Sequence, residues 1–269
     1  MMGVPVWFIV MAMGIFGALI GSFLNVVIWR VPRGLSIVRP ASACPQCDQP
    51  IAAYDNVPVF SYLLLRGRCR GCSAPISLRY PAVELATALA FAAVAWAAAL
   101  GAYPVAIVPL LLYWVAISIA LALIDLDHQK LPDVITLAAY PVTAVLLAAA
   151  SALTGDFGRL LTAAIGLVAL GGLYILLALG YRGGMGLGDV KLAGALGMLL
   201  GWFGWSQLIV GGFSAFVIGG IVGVVLMLTR RAGRRSRIPF GPFMLIGSWV
   251  GILAGPTLAN VYLTATGLA

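Results

Sequence analysis

The sequence predicts an all-α, polytopic membrane protein with about eight transmembrane helices and a small cytoplasmic zinc-binding loop module. Three observations carry this expectation. Of 269 residues, 62% are hydrophobic and 9% charged, against about 25% charged in an ordinary soluble domain. The apolar residues come in blocks near the roughly 20 residues a helix needs to cross the hydrocarbon. The net charge is +8. Its basic residues sit in connections between the apolar blocks, where they read as topology signals and not as a nucleic-acid surface.

Spans are expected at about 5–28, 83–101, 104–124, 133–151, 160–180, 190–204, 207–229 and 239–262. The first apolar block has no basic residue ahead of it; Arg30 and Arg33 follow it, and no small-x-small cleavage site is evident. A retained helix is therefore expected, not a cleaved signal peptide. The long polar connection holds Arg30, Arg33, Arg39, Arg66, Arg68, Arg70 and Arg79, and the connection at 230–238 holds Arg230, Arg231, Arg234, Arg235 and Arg237. Placing both in the cytoplasm puts both termini outside and leaves Arg159 as the one basic residue facing the other way. The span at 190–204 is the shortest. Gly194, Gly197 and Gly201 interrupt it and allow close helix approach. The expected division is residues 1–29 as the first transmembrane helix and 30–82 as a cytoplasmic four-cysteine module. Residues 83–269 form the helical membrane domain, with a core at about 104–262. No internal repeat is expected.

Carboxylates beside or within hydrocarbon are costly and mark function by default. The stretch Leu121-Ala-Leu-Ile-Asp125-Leu-Asp127-His-Gln-Lys-Leu-Pro-Asp133 puts Asp125 at the cytoplasmic end of the third span. Gly183-Gly-Met-Gly-Leu-Gly-Asp189-Val-Lys191 puts Asp189 at the start of the sixth. Both lie at similar depth on one membrane face. Two facing carboxylates suit peptide hydrolysis, because their mutual repulsion favours a shared-proton state in which one activates water and the other polarises a carbonyl. Ion or proton transport and plain helix capping are the competing readings, and Asp127 and Asp133 rival Asp125.

Cys44-Pro-Gln-Cys47 and Cys69-Arg-Gly-Cys72 are separated by 21 residues. Two CxxC pairs at this spacing suit four thiolates around a structural zinc, with no open coordination position for hydrolysis. Arg66, Arg68 and Arg70 beside them are expected to meet anionic lipid headgroups. Glu84, just inside the second span, is either an edge residue paired with Arg79 or a polar group lining a cleft. Asn25 poses the same question, since a buried amide needs partners. His128, the single histidine, reads as an interfacial polar residue and not a base. HExxH is absent, so a metalloprotease is not expected, and a serine triad lacks a convincing histidine partner.

Taken together, Gly21-Ser-Phe-Leu-Asn-Val-Val-Ile-Trp-Arg30, the paired CxxC module, Arg79-Tyr-Pro-Ala-Val-Glu84, Ile124-Asp-Leu-Asp127 with Leu131-Pro-Asp133, and Gly186-Leu-Gly-Asp189 resemble the bacterial type IV prepilin peptidase family, a group of GxGD-type aspartyl proteases. Pro239-Phe-Gly-Pro-Phe243 resembles its C-terminal motif, and the matches run in order along nearly the whole chain. The resemblance implies an inner-membrane aspartyl endopeptidase. It would remove the basic leader of type IV prepilins or type II secretion pseudopilins on the cytoplasmic side. It maps the family's catalytic pair onto Asp125 and Asp189. Family members with the cysteine loop commonly also methylate the new N-terminus with S-adenosylmethionine. That activity points to the N-terminal half, with Glu84 as a candidate at the methyl-transfer site. A peptidase without methylation, an ion-coupled transporter and a membrane scaffold are the alternatives.

Overall fold

The computed structural model describes residues 4–180, 186–230 and 238–268. Arg182, Gly183, Gly184 and four of the five arginines of the 230–238 connection (Arg231, Arg234, Arg235 and Arg237) lie outside the described residues. Regular structure among the described residues is helical, with only two isolated β-bridges. The chain divides into two compact units, Met1–Ala120 and Leu121–Ala269.

In the first unit, α1 (Val6–Arg30) follows Pro5, whose extended backbone cannot continue a helix. Only Gly17, Gly21, Leu24, Val27 and Ile28 of α1 are buried. Trp7, Phe8, Phe16, Leu19 and Phe23 are exposed. A helix that is apolar all round yet buries one narrow stripe is built for lipid, not water. The stripe meets α3 (Arg79–Ala99), where Gly17 and Gly21 bring the α1 backbone against Thr87, Phe91 and Glu84. Between these helices lie the cysteine loop and the short α2 (Phe60–Leu64).

The loop shows a repeat that contradicts the expectation of none. Cys44-Pro-Gln-Cys-Asp-Gln-Pro-Ile51 recurs 25 positions later as Cys69-Arg-Gly-Cys-Ser-Ala-Pro-Ile76. Both copies make the same hydrogen bonds. Cys44 N–H donates to Gln49 O at 3.0 Å and Cys69 N–H to Ala74 O at 2.8 Å; Ile51 N–H donates to Ser42 O and Ile76 N–H to Gly67 O. Each copy also closes with a residue at positive φ, Asp48 at 55° and Ser73 at 60°. The similarity is carried by only four identical residues per copy, and a search for periodic apolar patterns passes over it.

In the second unit, α4 (Val108–His128) contributes its last turns, followed by α5 (Asp133–Thr136), α6 (Ala139–Thr154), α7 (Gly158–Gly180), α8 (Leu187–Phe203), α9 (Trp205–Leu228) and α10 (Gly241–Thr266). Every residue of α8 from Leu192 to Trp202 is buried, and its neighbours include α5, α6, α7, α9 and α10. Among the described residues, seven helical segments are long and apolar enough to cross a membrane, so the chain is a multi-pass membrane protein. The eighth apolar helix, α8, has 17 residues and reaches only about 25 Å at 1.5 Å per residue. It tolerates this length because helices, not lipid, surround it. Its approach to α7 is backbone on backbone: a Cβ at Gly197 would collide with the Gly166 carbonyl, and one at Gly201 with the Thr162 carbonyl. Small residues are what permit such contact in a membrane bundle.

Three boundaries shift from expectation. The third span continues to His128, so Asp125 lies inside its last turn. The second begins at Arg79, which sets Glu84 more than a turn in. The segment at 133–151 is broken into α5 and α6, with Leu137 and Ala138 between them.

Candidate active site and metal cluster

Asp125 is buried, at 5% exposure, near the end of α4. A helix C-terminus disfavours an anion, so the carboxylate needs a donor from elsewhere. Gly241, the first residue of α10, supplies it: its N–H donates to Asp125 Oδ2 at 3.0 Å. The Pro239-Phe-Gly-Pro-Phe243 motif thus brings the N-terminal end of a 26-residue helix onto this carboxylate. Asp189 lies in the first turn of α8, and Gly186 N–H donates to its Oδ2 at 3.2 Å. The two carboxylates, 64 positions apart in sequence, are close enough to interact through their charges. Each therefore accepts a backbone N–H at the start of a helix.

The rival carboxylates have other surroundings. Asp127 is exposed and lies about 200° around α4 from Asp125 at 100° per residue. Asp133 takes Lys191 Nζ with both oxygens, at 2.7 and 2.8 Å. Asp125 and Asp189 are the pair that the fold brings together.

Two contributors were not singled out from sequence. The Gly241 N–H is a backbone group and has no side-chain signature. Tyr174 of α7 is buried and lies within electrostatic reach of Asp189, and its ring packs on Phe216 and Phe240 at 5.6 and 6.4 Å. It is the one aromatic residue in α7, a signal that could have drawn attention to it.

In the first unit, Glu84 is buried at 9% exposure. Its Oε2 accepts from Val59 N–H at 2.7 Å, and the Ser22 hydroxyl also bonds it. Val59 has φ 61°, and Phe60 N–H donates to Pro58 O around it. This is a γ-turn of the strained hand, on a β-branched residue. Nearby, Asn25 Nδ2 donates to Tyr80 O at 3.2 Å. These contacts answer the question of what Glu84 and Asn25 touch: each ties α1 or α3 to neighbouring backbone.

The four cysteine sulfurs all lie within 4.8 Å of one another, and Cys44 Sγ and Cys72 Sγ are 3.8 Å apart. That exceeds a disulfide bond of about 2.05 Å. It equals the edge of about 3.8 Å expected for a tetrahedron of sulfurs 2.3 Å from a central metal. Backbone N–H groups of Gln46 and Cys47 bring the Cys44 thiol down to about 7, against the effect of burial. Gln49 N–H pulls Cys47 the same way, but burial and the thiols of Cys72, Cys44 and Cys69 drive it up to about 11. Four thiolates this close repel one another, and a cation at their centre removes that repulsion. The donor set fits a metal ion. Beside it, Arg70 grips Asp55 with its nearest nitrogen–oxygen distance at 2.6 Å and holds that carboxyl below the usual range.

Comparison with known proteins agrees with both units. Residues 15–98 match the bacterial peptidase A24 N-terminal domain and residues 110–225 the type IV leader peptidase family. A prepilin leader peptidase/N-methyltransferase of Aeromonas hydrophila is 39% identical, covering 97% of this chain and 96% of that protein. Its counterpart in Pseudomonas aeruginosa is 37% identical over 94% and 93%, and that of Legionella pneumophila 31% over 96% and 95%. No solved structure gives a significant match. With identity of this order sustained from end to end, the chain belongs to the type IV leader peptidase family.

Proposed function

We propose that this protein is a bifunctional membrane enzyme that cleaves the leader from type IV prepilins or type II pseudopilins and then methylates the exposed amine. The observation that carries the peptidase reading is the meeting of Asp125 and Asp189, each held by a backbone N–H at a helix start. The pair works by sharing one proton. The ionised carboxylate takes a proton from water as the water oxygen adds to the scissile carbonyl carbon. The protonated partner gives its proton to the carbonyl oxygen. Collapse of the resulting diol breaks the C–N bond: the leaving nitrogen takes the proton that came from water, and a diol hydroxyl returns one to the other carboxylate, which restores the pair. The roles belong to the pair, since two coupled carboxylates titrate as a unit.

The second reaction takes its methyl group from S-adenosylmethionine. The N-terminal unit is its proposed seat, with Glu84 as the candidate residue. Zinc is the metal proposed for Cys44, Cys47, Cys69 and Cys72. Four thiolates would leave such an ion no open position, so it would serve to hold the loop in shape. Counting α8 as a crossing gives eight. The Arg30–Arg79 and 230–238 connections then face the cytoplasm, and both termini face the periplasm of an inner-membrane protein. The dyad ends of α4 and α8 share the cytoplasmic side. Transport by the same carboxylates has no counterpart among the relatives named above.

The test is reconstitution of the purified protein with a synthetic prepilin and S-adenosylmethionine, followed by product masses. Wild type is expected to release the leader and add one methyl. Asp125→Asn and Asp189→Asn are each expected to lose cleavage by at least about 10³-fold while still methylating a peptide supplied without its leader. Full cleavage by either variant would remove the dyad.

A further inference from the structure

The first turn of α8 carries Asp189, and residues 131–140 grip that turn from outside it. Leu131 packs at Gly188, where an added Cβ would lie 2.9 Å from Leu131 Cβ. Asp133 holds Lys191 Nζ with both carboxylate oxygens. Tyr140, in the first turn of α6, donates its hydroxyl to the Lys191 carbonyl oxygen at 2.6 Å, and the same hydroxyl bonds the Ala195 backbone N–H. Lys191 O and Ala195 N–H are the two ends of one helical rung. The phenol reaches them because position 194 is glycine: any side chain there would collide with Tyr140 Oη. A side chain that enters the i→i+4 ladder is one of the few ways to bias the course of a helix locally.

We propose that Tyr140, seconded by Asp133, is a positioning residue for Asp189. The two fix Lys191 by its backbone and by its side chain, and so set where the first turn of α8 presents its carboxylate. The inference rests on the aspartyl-peptidase reading above, and it gives Asp133 a role distinct from catalysis. Tyr140 carries the larger share. Its hydroxyl is part-buried on a main-chain carbonyl, whereas the side chains of Lys191 and Asp133 are 36% and 59% exposed, and exposed ion pairs hold weakly.

The experiment uses the full-length protein in lipid, a synthetic prepilin for cleavage and a leaderless peptide for methylation. Tyr140→Phe keeps the ring and removes only the hydroxyl. Its kcat for cleavage is expected to fall by up to about 10²-fold, the cost of displacing a catalytic group by about 1 Å. KM is expected to move little, and methylation of the leaderless peptide to stay at the wild-type rate. Asp133→Asn and Lys191→Met are each expected to lower kcat by less, and the double variant to be no worse than the poorer single, because both report one interaction. Wild-type kcat in Tyr140→Phe overturns the proposal. Equal loss of cleavage and methylation overturns it too, by marking a general packing role. Additive losses at Asp133 and Lys191 would take Asp133 out of it. Asp189→Asn is run alongside: if it cleaves at the wild-type rate, the peptidase reading itself has failed. If it is inert beside a fully active Tyr140→Phe, only the positioning role is lost.

Discussion

The two compact units hold polar chemistry by opposite means. In the first, the cysteine cluster is assembled by short-range geometry: two copies of one eight-residue loop, each closed by hydrogen bonds across a few positions. In the second, Asp125 and Asp189 come from segments 64 positions apart, and no local pattern joins them. What joins them is packing between elements: α10 packs on α8 and delivers the Gly241 N–H to Asp125, while Leu131 packs at both Gly241 and Gly188. A site of the first kind is as robust as its ligand. A site of the second kind is as accurate as its helix contacts. The contrast predicts that ligand loss and backbone crowding strike different activities.

The largest effect is expected from metal loss. Apparent binding energies for structural zinc in small peptides are about 10–16 kcal/mol, far more than a loop of this size gains from its own hydrogen bonds. Cys44→Ser is expected to abolish stoichiometric metal, read by elemental mass spectrometry on the purified protein. Methylation is expected to fall much further than cleavage. An equal fall in both would break the comparison, because the two units would then share one stability.

Crowding the second unit tests the other half. Gly197→Ala puts a methyl group into the Gly166 carbonyl, and overpacking of this kind costs about 1–3 kcal/mol. Gly172 on the same α7 has open space around its Cβ position, so Gly172→Ala is neutral or gains up to about 1 kcal/mol from helix propensity. Melting temperatures in detergent are expected to fall for the first and hold or rise for the second. If both fell alike, glycine would matter here for flexibility and not for contact.

The same contrast explains what sequence could reveal. The apolar blocks, the paired CxxC motifs and the two motif-borne aspartates were legible because composition, spacing and family resemblance each act on local strings. The loop repeat went unseen because its similarity lies in turn geometry around four identical residues. The Gly241 donor was illegible for a stronger reason: a backbone N–H is common to almost every residue, and only the packing of α10 aims this one at Asp125. The lone tyrosine of α7 was visible, but nothing in its neighbours pointed to Asp189. Asp133, a rival for catalysis on spacing alone, meets Lys191 only because α5 and α8 meet.

The smallest effect is expected at Glu84, and it sharpens the comparison most, since Glu84 is both a structural anchor and the candidate for methyl transfer. Its carboxylate receives Val59 N–H at a residue held with φ 61°, a conformation that costs about 1–3 kcal/mol for a β-branched residue. Glu84→Gln keeps the shape and an acceptor oxygen but removes the charge, so the stability cost is about 1 kcal/mol. Val59→Gly removes the strain at its source. If Glu84 acts only as an anchor, adding Val59→Gly to Glu84→Gln restores both melting temperature and methylation. If Glu84 takes part in methyl transfer, the double variant regains stability while methylation stays low. Cleavage is unchanged in either case, because the dyad draws on the packing of the other unit.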